Sequence, residues 1–227
     1  MLTVAYYSTG NTYEFEADLL RCSLDRYGMA HNIVPIPDGG DWYANTAHKA
    51  RFLYEQRMDH RGPLLYIDVD AFVHENVDAY FERLGRQGYD FGAHWFRGPA
   101  KGYDWSKMRS EGWWMLSGTL FFGDTQGARD LLALWCRVNR LFRRSGVMEG
   151  GGQKNLWYLV TCMTGLKVMK LPGRYCYVFD KSKAYPPDER RIIEHTIASR
   201  DNRDKETKTQ LHPGRGARME ELRRMVA

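Results

Sequence analysis

Cysteine is scarce in this chain. Cys22, Cys136, Cys162 and Cys176 lie far apart with no C-x-x-C pair, which argues against a disulfide frame or a thiolate zinc site and for reduced thiols. Long apolar runs are missing too: the longest, LWYLVTCMTGL at 156–166, is too short to span a bilayer. The opening MLTVAYYSTGNTYEFE has no basic segment followed by an apolar core, so no export signal is read there. No internal repeat is found, and no segment demands an obligate protein partner. These absences predict a soluble, cytoplasmic protein without membrane contact. What is present is globular: 227 residues, 43% hydrophobic, 27% charged and 14% aromatic, enough for one sizeable core and short for two domains. The net charge of +5 favours a polyanionic partner without requiring one.

Hydrophobic periodicity orders the chain. LTVAYY reads as a strand, YEFEADLLRCSLDRYG as an amphipathic helix stopping at Gly28, and NIVPIP as a second strand. This β-α-β opening predicts an α/β fold, with a mixed, mostly parallel central sheet flanked by helices. A helix over 42–57 leads into PLLYIDVD at 63–70, an almost wholly apolar strand of the kind buried on both faces. A helix near 76–87 and a strand at 89–95 follow. The connection FRGPAKGYDWSKMRSEG at 96–112 is long for a compact domain and mixes basic with aromatic residues. WWMLSGTLFFGDT then leads from a strand into a helix with Ala128, Leu131, Leu132, Trp135, Val138 and Leu141 on its apolar face. A further helix to about 164 and strands KVMKLP and YCYVFD complete the core, and the charged residues beyond 200 predict an extended tail.

The paired Asp68 and Asp70 fall at the carboxyl end of that apolar strand, where open α/β sheets bind ligands. On an extended chain, residues i and i+2 leave on the same side. Two carboxylates that close repel unless one is protonated or a cation lies between them. A hard divalent ion, manganese or magnesium, would relieve this. A turn cap beside a solvated aspartate explains the spacing equally well. An apolar strand ending in D-x-D also occurs in haloacid-dehalogenase phosphatases, with the first Asp as nucleophile, but that pattern continues Gly-Thr where this chain has Ala71 and Phe72.

Several segments together resemble the GT-A nucleotide-sugar glycosyltransferases. YIDVDAFV is similar to their D-x-D strand, HKARFLYEQ to the helix that turns a basic residue to the nucleotide, and LSGTLFFGDTQGARDLLALW to the small-residue turn that meets acceptor and donor sugar. GGQKNLWYLV resembles the D-Q-x-x-L helix start, with Gly152 in place of the acid, and IIEHTIASR the segment whose histidine completes the metal site. The resemblance implies a GT-A-like catalytic domain over 1–203 with a charged tail over 204–227, and a UDP-sugar as the expected donor. It makes Asp70 and His195 metal ligands, and Asp68 a ligand to metal or ribose. It sets Lys49 and Arg200 on the nucleotide and diphosphate, Tyr7, Ser8 and Thr9 on base and ribose, and Trp114, Ser117, Gly118 and Thr119 by the acceptor. An inverting reaction needs a carboxylate base. With Gly152 at the usual position, Glu149 or Asp124 would have to serve, whereas retention with Gln153 against the sugar needs none.

For the acceptor, Arg97, Lys101, Lys107 and Arg109 alternate with Phe96, Tyr103 and Trp105 in the long connection, a pattern suited to phosphates and bases. Small phage-type enzymes of this class glycosylate hydroxymethylated bases in DNA, so a 5-hydroxymethylated pyrimidine is one expected acceptor. A carbohydrate would explain the aromatics but not the cations, and a non-catalytic nucleic-acid-binding module would explain both without any sugar transfer.

Overall fold

A computed structural model describes residues 1–10, 13–40, 42–97, 113–144, 151–179, 190–196 and 214–226. The chain opens with β1 (Leu2–Ser8), α1 (Tyr13–Arg26), β2 (His31–Ile36), α2 (Trp42–Asp59) and β3 (Leu64–Ile67). It continues through β4 (Ala71–Val73), α3 (Asp78–Arg86), β5 (Phe91–Arg97), β6 (Trp113–Phe122), α4 (Gln126–Arg144) and α5 (Gly151–Cys162). β7 (Val168–Leu171), β8 (Tyr177–Val178), β9 (Ile193–His195) and α6 (Arg215–Val226) complete it.

Six strands form the main sheet in the order β2-β1-β3-β6-β5-β7. Only β6 runs against its neighbours; the β1–β2, β1–β3 and β5–β7 pairs are parallel. The central strands bury both faces, and their side chains alternate between two cores. Leu64, Tyr66, Leu120 and Phe122 pack with Leu53 of α2, Leu131 and Trp135 of α4 and Leu156 of α5. Leu65, Ile67 and Phe121 face the other way, onto Leu20 and Leu24 of α1 and Phe81 and Leu84 of α3. α1 stops where the sequence predicts. Gly28 takes φ +61°, which a side chain resists, and the amide of Met29 donates back to the Leu24 carbonyl at 3.1 Å.

Two expectations are corrected. The strand predicted over 63–70 ends at Ile67, and the chain then leaves the main sheet for a second one of order β4-β9-β8. The extended tail is not observed over 215–226 either. These residues form α6, whose Met219 and Leu222 pack on Leu19 of α1 and Phe72 of β4. Charge alone misled here, because a helix needs only a narrow apolar stripe to dock.

Candidate active site and metal centre

The residues between the two sheets form a site because the chain changes sheets there. Ile67 is the last residue of β3 paired with β6, opposite Thr119. The Asp68 amide donates to the Gly118 carbonyl at 2.7 Å, and a turn closes as the Ala71 amide donates to the Asp68 carbonyl at 3.1 Å. β4 then pairs with β9, Ala71 opposite His195, and the Thr196 amide donates to the Asp70 carbonyl at 2.8 Å. The register of the small sheet thus sets His195 beside Asp70. One oxygen from each aspartate and one imidazole nitrogen all lie within 4.8 Å of one another.

Each member of this group is held. The Asp68 Oδ1 accepts from Lys49 Nζ at 2.7 Å and from the Tyr66 hydroxyl at 2.6 Å. Burial first, then the charge of Asp68, raises the Tyr66 pKa well above its usual value, so Tyr66 remains a donor. Lys49 Nζ also donates to the Ser117 carbonyl at 3.2 Å and lies 4.8 Å from the centre of the Tyr66 ring. His195 is buried, with Nδ1 3.9 Å from Asp70 Oδ1 and Nε2 2.9 Å from Thr119 Oγ1. Burial disfavours charge on this imidazole, but Cys176 and Asp70 outweigh it and push its pKa up to about 10. A bound cation would compete with that proton. Two carboxylates and one imidazole, part-buried and converging, are a donor set that fits manganese or magnesium.

Beside the aspartates opens a cavity of about 270 Å³. The end of β1 supplies Tyr6, Tyr7 and Ser8, and α1 begins there with Tyr13. Asn45, Thr46 and Lys49 form one face of α2, while Ser117, Gly152 and Gln153 close the opposite wall. The Gln153 Oε1 accepts from the Ser117 hydroxyl at 2.8 Å, and its NH₂ has no hydrogen-bond partner among the described residues.

Of the sequence-predicted residues, the fold brings together Tyr7, Ser8, Lys49, Asp68, Asp70, Ser117 and Gln153 around the cavity. His195 stands behind Asp70, and Gly118 and Thr119 face His195 and not the cavity. Thr9 turns away, its amide donating to the Ile36 carbonyl at 3.0 Å. Asp124 is not in this group. It lies at the opposite end of β3, where its Oδ2 accepts from the Gly62 amide at 2.8 Å and Arg57 and Arg129 pair with it. Glu149, Arg200 and the side chain of Trp114 lie outside the described residues, as does the connection over 98–112.

Sequence reasoning missed Tyr6, Tyr13, Tyr66, Asn45 and Thr46. Two signals were available: Tyr66 is two residues before Asp68 and so shares its face, and Asn45 lies one helical turn before Lys49.

No family model matches the chain, and no curated protein matches its sequence. Solved structures do match in fold. A glycosyltransferase involved in glycosylating the major capsid of PBCV-1 aligns over 91% of this chain and 98% of its own, at a TM-score of 0.62 and 13% identity. The fold is that of the GT-A glycosyltransferases. The glycosyltransferase GlyE of Streptococcus pneumoniae TIGR4 aligns over 86% of this chain, which spans 54% of GlyE, at a TM-score of 0.58 and 14% identity. The galactosyltransferase LgtC, solved with donor and acceptor sugar analogues, aligns over 86% of both chains at a TM-score of 0.52 and 13% identity. At such identities the likeness is one of fold.

Proposed function

We propose that this chain is a metal-dependent glycosyltransferase that moves a sugar from a nucleotide-sugar, a UDP-sugar in the first instance, to an acceptor hydroxyl. The observation that carries the reading is the convergence of Asp68, Asp70 and His195 on a glycosyltransferase fold, with the two aspartates lining a cavity and His195 behind Asp70. Asp68, Asp70 and His195 would hold manganese or magnesium. The ion would offset the charge that grows on the departing nucleoside diphosphate. Lys49 already sits on Asp68 and adds a fixed positive charge next to that position. Tyr7, Ser8 and Tyr13 line the part of the cavity suited to base and ribose. Gln153, its oxygen anchored by Ser117, keeps amide N–H groups for the donor sugar. Among the described residues, Asp68 and Asp70 are the only carboxylates lining the cavity, which supports retention over inversion by a described base. Arg200 belongs to this proposal as a diphosphate contact and Glu149 as the base of an inverting alternative.

For the acceptor we propose a 5-hydroxymethylated pyrimidine in DNA, supported by the net charge of +5 and the basic and aromatic 96–112 connection. Its base must leave the stack to reach a cavity of this kind. A carbohydrate acceptor is the second reading, favoured by the aromatic residues. The phosphatase alternative is weakened by Asp68 itself, whose Oδ1 is engaged by Lys49 and Tyr66 and is poorly placed to attack.

Calorimetric titration with UDP tests the reaction class: binding should require manganese and disappear in Asp70→Ala. Tight binding in EDTA would sink the metal role. Release of UDP from a panel of UDP-sugars, with hydroxymethylated DNA or oligosaccharides added, separates the two acceptors from a nucleic-acid-binding module, which would release none.

A further inference from the structure

The stretch Ser117-Gly118-Thr119 also links the parts of the site to one another. On the β5 side, Ala93 pairs with Leu120 and His94 with Leu116, so these three residues have no counterparts and β6 bulges there. Each bulge residue holds a different part of the site. The Ser117 carbonyl takes Lys49, the Gly118 carbonyl takes the Asp68 amide, and the Thr119 hydroxyl meets His195. Gly118 lets the imidazole lie against the β6 backbone, since a Cβ there would sit 2.8 Å from Cε1, 3.0 Å from Nδ1 and 3.1 Å from Nε2. Thr119 is fully buried, and its Oγ1 is 2.9 Å from Nε2.

We infer that Thr119 is a positioning residue whose hydroxyl, by engaging His195 Nε2, leaves Nδ1 as the nitrogen offered to the cation shared by Asp68 and Asp70. A neutral imidazole has one N–H and one lone pair, and the partner of the first decides where the second points. With the N–H on Nε2 and directed at Thr119, the lone pair is on Nδ1, the nitrogen that faces Asp70. Without the hydroxyl, a proton on Nε2 loses this partner while one on Nδ1 keeps Asp70, so the balance shifts toward Nδ1, with Cys176 also hydrogen-bonded to the ring. The lone pair is then on the wrong side of the ring. This role rests on the metal-centre reading above and gives Thr119 no contact with substrate.

Manganese alone is the probe, on the full chain. Electron paramagnetic resonance counts free Mn²⁺ and so gives affinity, while echo-envelope modulation detects an imidazole nitrogen bound directly to the ion. Thr119→Val, nearly isosteric, should weaken Mn²⁺ binding about 10- to 100-fold and lose the nitrogen coupling. Thr119→Ser, which restores the hydroxyl, should stay within about threefold of wild type with the coupling intact. Thr119→Ala repeats the deletion without a branched side chain, and equal melting temperatures in EDTA show that the fold is kept. Wild-type affinity and nitrogen coupling in both Thr119→Val and Thr119→Ala would overturn the inference, as would a Thr119→Ser protein as weak as Thr119→Val. If wild type itself binds no Mn²⁺ at an imidazole nitrogen, the metal-centre reading falls and this one with it.

Discussion

Gly118 matters through the atom it lacks. Adding a Cβ 2.8 Å from His195 Cε1 forces the ring or β6 to move, although the three ligand groups are unchanged. Gly118→Ala should therefore weaken Mn²⁺ binding by about 10-fold or more, at a stability cost of about 1–3 kcal/mol. Calorimetry and thermal melting read the two effects separately, and wild-type metal affinity would show that His195 is free to adjust. At this scale the sequence was informative where neighbours along the chain are also neighbours in space. Asp68 and Asp70 could be singled out, and Tyr66 could have been, because all three follow one local alternation. That Gly118 and Thr119 serve His195 could not be read, because His195 arrives from a strand distant in sequence.

At the scale of elements, helices α1 to α5 and the opening β-α-β unit follow from apolar spacing, but α6 and the end of β3 do not. An apolar run does not show where a strand loses its neighbours, and beyond Ile67 the pairing passes from β6 to β9. The β6–α4 junction shows the same limit. Asp124 stands in a sequence context that suggested catalysis, yet it braces the buried Arg57, which also donates to the Gly62 carbonyl at 2.7 Å and the Gly123 carbonyl at 3.3 Å. The Gly62 amide first, with Arg57 and Arg129, holds the Asp124 pKa below the usual carboxylate range against the opposing effect of burial. Asp124→Ala should cost about 1–3 kcal/mol in denaturant titration and leave the turnover of folded protein within about twofold of wild type. A folded Asp124→Ala protein without turnover would return this residue to the catalytic set.

Across the whole molecule, the small sheet ties the aspartate turn to α6. Glu194, fully buried next to His195 in sequence, accepts from Arg218 Nε at 3.0 Å and Arg191 at 3.2 Å, and lies 2.9 Å from His74 Nε2. Burial raises its pKa, but the hydrogen bonds of His74 and Arg218 and the charges of Arg218 and Arg191 outweigh that and bring it from 4.5 down to about 2. A carboxylate whose pKa falls on folding stabilises the native state above its unfolded value and ceases to do so as pH drops through its folded value. This contribution, roughly 3 kcal/mol, should be complete above pH 4.5 and vanish towards pH 2. Urea unfolding of wild type and Glu194→Gln should show a gap at pH 6 that narrows steadily in acid, and a constant gap would refute the coupling. The sequence by itself determined helices α1 to α5, the alternating strands, the two-faced core and the Asp68–Asp70 pair, because each depends on side-chain patterns within one segment. Only the tertiary structure decided that the pair lies in a turn between two sheets, that His195 is beside Asp70, that Asp124 is at the far end and that α6 docks, because strand pairing and packing join residues whose separation along the chain carries no local signal.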